Sequence, residues 1–181
     1  MNEEYDIGQS ATLADFLSCV NHYRMYTPGL YVCVSVPVQL NKTTRLTPGF
    51  VAQVNSGKFK QCDPGDYQYF SGPPNFVFDV FKDNQRQEYE KRKALFERSR
   101  VIEYVVWFAS DKMPIWNRLH KGAYLEISED VEGLIKSSAL PGMWFPIDAL
   151  AERDWRTIMA KISWGITRRG HRDFMKTIWK R

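Results

Sequence analysis

The pattern of apolar and polar residues between Pro73 and Ala109 predicts strand, helix, strand, and the rest of the chain is organised around this stretch. In the first strand, Asn75–Phe81, the side chains of Phe76, Phe78 and Val80 share one face, and those of Val77, Asp79 and Phe81 the other. A carboxylate thus stands between two hydrophobic neighbours. An unpaired charge there is expensive, so a cation, a metal or hydrogen-bond donors are required. On the predicted helix Gln85–Arg100, Tyr89, Arg92 and Phe96 recur at i, i+3 and i+7. If the two rings face the sheet, the stem of Arg92 goes in with them and its head reaches toward Asp79. The second strand, Val101–Ala109, is β-branched and aromatic and is broken only by Glu103.

Residues 1–10 form a loose start, and Leu13–Met25 a helix with Leu13, Phe16, Leu17 and Val20 on one side, capped by Ser10 or Thr12. After a turn at Tyr26–Gly29, Leu30–Leu40 reads as one strand, with Val32, Val34, Val36 and Val38 on a single face. Pro37 has no amide hydrogen and implies an edge or a bulge. Gly49–Val54 is a further strand, and Asn55–Gly72 reads as a long loop. A turn at Ser110–Pro114 leads to a hairpin, Ile115–His120 and Ala123–Ser128, around Lys121-Gly122. Ser137–Ile147 is apolar and punctuated by Pro and Gly; it lays Leu140, Met143, Trp144 and Phe145 on the body. A last helix is predicted over Asp148–Thr167, with a stripe at Trp155, Ile158, Met159, Ile162 and Ile166 that packs on its own domain or on a second subunit. This order implies an α+β or α/β fold with a mixed sheet, one main domain over residues 1–150, and a helix with a basic tail over 151–181, in the same domain or appended to it.

Of 181 residues, 44% are hydrophobic and 14% aromatic, enough for a core built on large rings. The net charge of +4 is modest but unevenly placed: residues 151–181 carry nine Lys or Arg against three acids, a balance of +6, and the remainder sums to −2. Arg168, Arg169, Arg172 and Lys176 in that tail are candidate phosphate contacts, and Trp179 could stack on a base. The opening MNEEYDIG lacks a secretory signal, and no apolar run approaches the roughly 20 residues that span a bilayer. A cytoplasmic protein is the expectation. Cys19, Cys33 and Cys62 form no CxxC pair and read as buried free thiols. His22, His120 and His171 are scattered and read as surface or helix-end residues. Glu103 reads as a structural hydrogen bonder more readily than as a catalytic group.

The stretch from Pro74 to Trp107, the hairpin after it and the segment LPGMWFPIDAL together resemble the Uma-two family of restriction endonucleases. The residues that carry the resemblance are Pro74, Asp79-Val80, Glu88, Arg92, Phe96 and Glu103-Tyr104, the closing Leu140–Ile147, and Arg45–Val51 upstream. The match covers about residues 13–150. It implies the PD-(D/E)XK, restriction-endonuclease-like fold, with two carboxylates that hold Mg²⁺, a Lys that assists, and DNA as substrate. The metal would activate water and stabilise charge on the phosphate.

On that pattern the family's first acid falls on Gly49, its Glu on Asp79 and its Lys on Arg92. Glycine offers no side-chain oxygen. Arginine does not readily lose a proton and presents a planar fork. Aspartate is shorter than glutamate by about 1 Å of reach, a misplacement on the scale that spoils chemistry. The resemblance therefore implies an endonuclease-like protein with an impaired site. Asp79 is the candidate metal ligand and, with Arg92 and Glu88, a candidate catalytic residue; Asp63, Asp66 and Glu88 are possible replacement ligands. The other reading of Asp79 is an ion pair with Arg92 or Lys82. A non-catalytic nucleic-acid or protein-interaction module on the same fold is the alternative function, and a homodimer is a further expected partner.

Overall fold

The computed structural model describes residues 5–65 and 67–178. In chain order the elements are α1 (Ile7–Met25), β1 (Leu30–Val34), β2 (Val38–Gln39), β3 (Arg45–Leu46), β4 (Phe50–Val54), β5 (Asp63–Gly65), β6 (Tyr69–Ser71), β7 (Phe76–Phe81), α2 (Arg86–Arg98), β8 (Glu103–Phe108), β9 (Ile115–His120), β10 (Ala123–Glu126), β11 (Leu134–Lys136), β12 (Trp144–Pro146), α3 (Ile147–Ala151), α4 (Trp155–Ile166) and α5 (Arg169–Ile178). The main sheet has six strands in the order β1-β4-β7-β8-β9-β10. Only β7 and β8 run parallel, because α2 crosses over between them; the other pairs are antiparallel. Among the described residues no helix is long and apolar enough to cross a membrane.

The period-two pattern of β7 divides the interior as the sequence implies. Phe76, Phe78 and Val80 join the larger core with α1 and α4, in which Phe16 stacks on Phe78 at 4.3 Å. Val77 and Phe81 join the smaller core beneath α2, with Tyr89, Phe96 and Tyr104. Both rings of α2 are buried there, which brings Arg92 to the sheet. The helix ends in a Schellman-type turn: Val101 N–H bonds the Phe96 carbonyl at 3.1 Å, with Arg100 at φ 68. The hairpin β9–β10 turns on Lys121 (φ 49) and Gly122 (φ 98), the two positive angles that match strand twist.

Four expectations are corrected. The start is ordered from Ile7, not Leu13: Asp6 and Gln9 form a capping box, with Gln9 N–H to Asp6 Oδ1 at 2.9 Å and Asp6 N–H to Gln9 Oε1 at 3.2 Å. Leu30–Leu40 is not one strand. Ser35 takes φ 51 and the chain leaves the main sheet, so that β2 enters a second sheet in the order β3-β2-β6-β5. Its valine face is therefore not continuous, and Val34 is 44% exposed. That second sheet also takes two strands, β5 and β6, from the predicted loop Asn55–Gly72. The last helix is two helices, because Arg153 at φ 56 breaks the chain and Asp154 caps α4 through the Thr157 amide at 3.1 Å. The α4 stripe packs on α1 and β12 of the same chain, and the tail forms α5, which buries His171, Phe174 and Ile178.

Candidate active site

Asp79 is 1% exposed on the α2 face of β7. Its carboxylate collects three donors from three directions. The Gly49 amide, just before β4, reaches Oδ1 at 2.7 Å. The Tyr104 hydroxyl from β8 reaches Oδ2 at 3.0 Å, and Arg92 Nη1 from α2 reaches the same oxygen at 3.3 Å. Arg92 is held in turn by Glu88 Oε1, which accepts from Nε at 3.1 Å, and by the Thr47 carbonyl at 3.4 Å. The buried charge is thus paired and its lone pairs are engaged, which is the condition for keeping a carboxylate inside a protein. Lys82 is not its ion-pair partner; it pairs with Asp6 at 3.9 Å.

The local field follows from this arrangement. Burial works against the Arg92 charge, but Asp79, Tyr104 and Glu88 outweigh it and hold its pKa above the usual arginine range. Burial, and then the Asp79 charge, push the Tyr104 hydroxyl well above its ordinary value. Tyr5 is raised in the same way, by burial first and Asp79 second, so its side chain stands within the reach of the same charge. A cleft of about 670 Å³ opens beside the carboxylate, walled by Tyr5, Gln9, Pro48, Lys82, Glu88 and Arg92 among others.

The residues present do not fit the metal that the family resemblance implies. Gly49 supplies a backbone donor, which faces an anion and not a cation. The space beside it is filled: a Cβ built there would stand 2.7 Å from Leu13 Cδ1 and 2.9 Å from both the Phe78 carbonyl and the Tyr5 hydroxyl. Arg92 places a fixed positive charge against the buried Asp79 carboxylate. Among the described residues no group of three or more His, Cys, Asp or Glu side chains could hold a metal ion. Asp63, offered as a replacement ligand, pairs with Lys60 on the second sheet, and Asp66 lies outside the described residues. Glu88 lines the cleft, and its carboxylate is engaged by Arg92.

The remaining candidates lie elsewhere. Glu103 is fully buried and accepts from Arg118 Nε at 2.9 Å, Ser137 Oγ at 2.5 Å, and Ser138 N and Oγ at 2.8 and 2.9 Å. It fastens the β11–β12 connection to β8. His171 is not a surface residue; it is buried, with Nε2 3.0 Å from Thr27 Oγ1. Cys19 and Cys62 are buried and Cys33 is half-buried, all three with free thiols. The basic tail spends its charge largely on itself. Arg169 and Lys176 both pair with Asp173, Arg172 bonds the Thr167 carbonyl, and Arg168 stacks 3.5 Å over Trp164. No α5 residue lines the Asp79 cleft, and Trp179 lies outside the described residues. The sequence pointed to Arg92 but not to Gly49 N–H, Thr47 O or Tyr5. Nothing in local periodicity marks a backbone amide thirty residues upstream as a partner, or a tyrosine ahead of the first helix.

No family model matches the chain, and no curated protein matches it. Among solved structures, a candidate nuclease belonging to DUF820 from Anabaena variabilis ATCC 29413 superposes with a TM-score of 0.64 over 84% of each chain, at 10% sequence identity. At that identity the likeness is one of fold. The fold class is that of a restriction-endonuclease-like protein, a mixed sheet flanked by helices with helices at the C-terminal end.

Proposed function

We propose that this chain is an endonuclease-like protein that no longer hydrolyses phosphodiesters, and that it acts as a binding module on the nuclease scaffold. One observation carries the reading: the Asp79 carboxylate is engaged by Gly49 N–H and Arg92, which stand where the family resemblance expects an acid and a lysine, and by the Tyr104 hydroxyl. Each of them is a donor to an anion. A divalent cation entering there would have to displace the Arg92 charge and find further oxygens. The nuclease-like fold supports a nucleic acid as the class of partner, with DNA the first to try. The self-paired cations of α5 support only weak backbone contact.

The test is isothermal titration with Mg²⁺ and Mn²⁺ on the wild type and on Asp79→Asn, run beside nicking of supercoiled plasmid. The expected result is no saturable heat that depends on Asp79, and no metal-dependent nicking. Saturable binding lost in Asp79→Asn, together with nicking, overturns the proposal.

A further inference from the structure

The strand β1 is one edge of the main sheet and, among the described residues, is paired only with β4. The register fixes where each of its backbone groups points. Ser35 N–H donates to the Gly49 carbonyl at 3.0 Å and Asn55 N–H to the Gly29 carbonyl at 2.8 Å, so 35–49 and 29–55 are hydrogen-bonded pairs. In an antiparallel ladder such pairs recur every second residue. Tyr31 and Cys33 therefore bond β4, and Leu30, Val32 and Val34 turn their backbone groups outward. Leu30 N–H is taken by the Thr27 carbonyl at 3.1 Å. The Leu30 carbonyl, both groups of Val32 and the Val34 N–H face out, and no hydrogen bond among the described residues reaches them.

Such an edge is ordinarily blunted by a lysine, a proline or a bulge. LYVCV has none of these; Ser35 at φ 51 and Pro37 come only after it. The flanking side chains are apolar and open to solvent, Tyr31 at 47% on one face and Val34 at 44% on the other.

We propose that β1 is the interface of a homodimer, in which β1 of a second copy adds antiparallel to it about a two-fold axis through Val32. The outward groups are complementary to themselves. Val32 N–H meets the Val32 carbonyl of the second copy and receives the same in return, and Val34 N–H meets the Leu30 carbonyl, also twice. Side chains directly opposite share a face, so Val34 lies against Leu30 and Tyr31 against Cys33. Apolar meets apolar, and the uncharged strand sets no like charges against each other. The interface is isologous, which closes at two copies, and joins the two main sheets into one.

Light scattering over a dilution series tests this. The wild type is expected at twice 21.2 kDa, with Tyr31→Lys and Val34→Lys monomeric and unchanged in circular dichroism. Leu125→Lys, on the opposite edge strand where Leu125 is 53% exposed, should remain dimeric. If either β1 variant fails to fold, hydrogen exchange of the wild type decides: the Val32 and Val34 amides should gain protection as concentration rises. A wild type monomeric throughout, a dimer that survives both β1 substitutions or breaks with Leu125→Lys, or amides whose protection ignores concentration would each overturn the proposal.

Discussion

The Asp79 carboxylate rests 2.7 Å from the backbone nitrogen of Gly49, thirty residues earlier in the chain. A position where the family resemblance expects an acid instead supplies a hydrogen to one. Restoring the acid should therefore fail. Gly49→Asp drives a side chain into Leu13, Tyr5 and the Phe78 carbonyl and sets a second negative charge beside Asp79. A loss of about 1–3 kcal/mol from overpacking is expected in urea unfolding, with Mg²⁺ titration still flat. Metal binding gained without loss of stability would show that the space is not closed.

Asp79 and Arg92 should behave as one unit. Asp79→Ala strands a largely covered guanidinium and the Tyr104 hydroxyl, and is expected to cost about 3 kcal/mol. Asp79→Asn combined with Arg92→Met should cost less than the sum of the single changes, with a coupling of about 0.5–3 kcal/mol. Additive effects, or an Asp79→Ala protein that melts like the wild type, would refute the pairing.

Glu103 holds the segment Ser137–Ser138 against β8 through its two oxygens. Glu103→Ala leaves Arg118 and both serines without their acceptor and should cost about 3 kcal/mol. The Ser138 amide should then exchange faster in native-state hydrogen exchange. Unchanged exchange at Ser138 would mean that β11 and β12 are fastened by other contacts.

Burial holds His171 below its ordinary 6.5, outweighing the Ile166 carbonyl that favours the protonated ring. The unfolded chain therefore takes up its proton at a higher pH than the folded one. Stability is whole above 6.5, declines as pH falls through that value, and levels off once the folded ring is protonated too. His171→Leu should flatten this part of the stability–pH curve in urea titrations. An unaltered slope would assign the acid sensitivity to other groups.

Much of this was legible without coordinates. The period-two pattern of β7 put Asp79 on the face opposite Phe76 and Phe78, and the spacing of Tyr89 and Phe96 aimed Arg92 at it. The hairpin β9–β10 followed from its Lys-Gly turn. A capping box at Asp6 and Gln9 and a cap at Asp154 were also there to be read, but each sits where hydrophobic periodicity fades. Leu30–Leu40 misled because alternation reports which face a residue takes and not which sheet it joins; Ser35 changes the sheet without disturbing the alternation.

The faces follow from local pattern: which side chains go inward, that Asp79 goes with them, and that Arg92 lies within reach. This is short-range information, written in repeats of two and of three to four residues. Tertiary structure alone decided what Asp79 meets. It set the order β4-β7-β8, which brings Gly49 N–H and Tyr104 to the two oxygens of one carboxylate. It also laid Tyr5 and Leu13 over the glycine. Partners thirty residues away along the chain are chosen by strand pairing and helix packing, and those depend on the whole core at once.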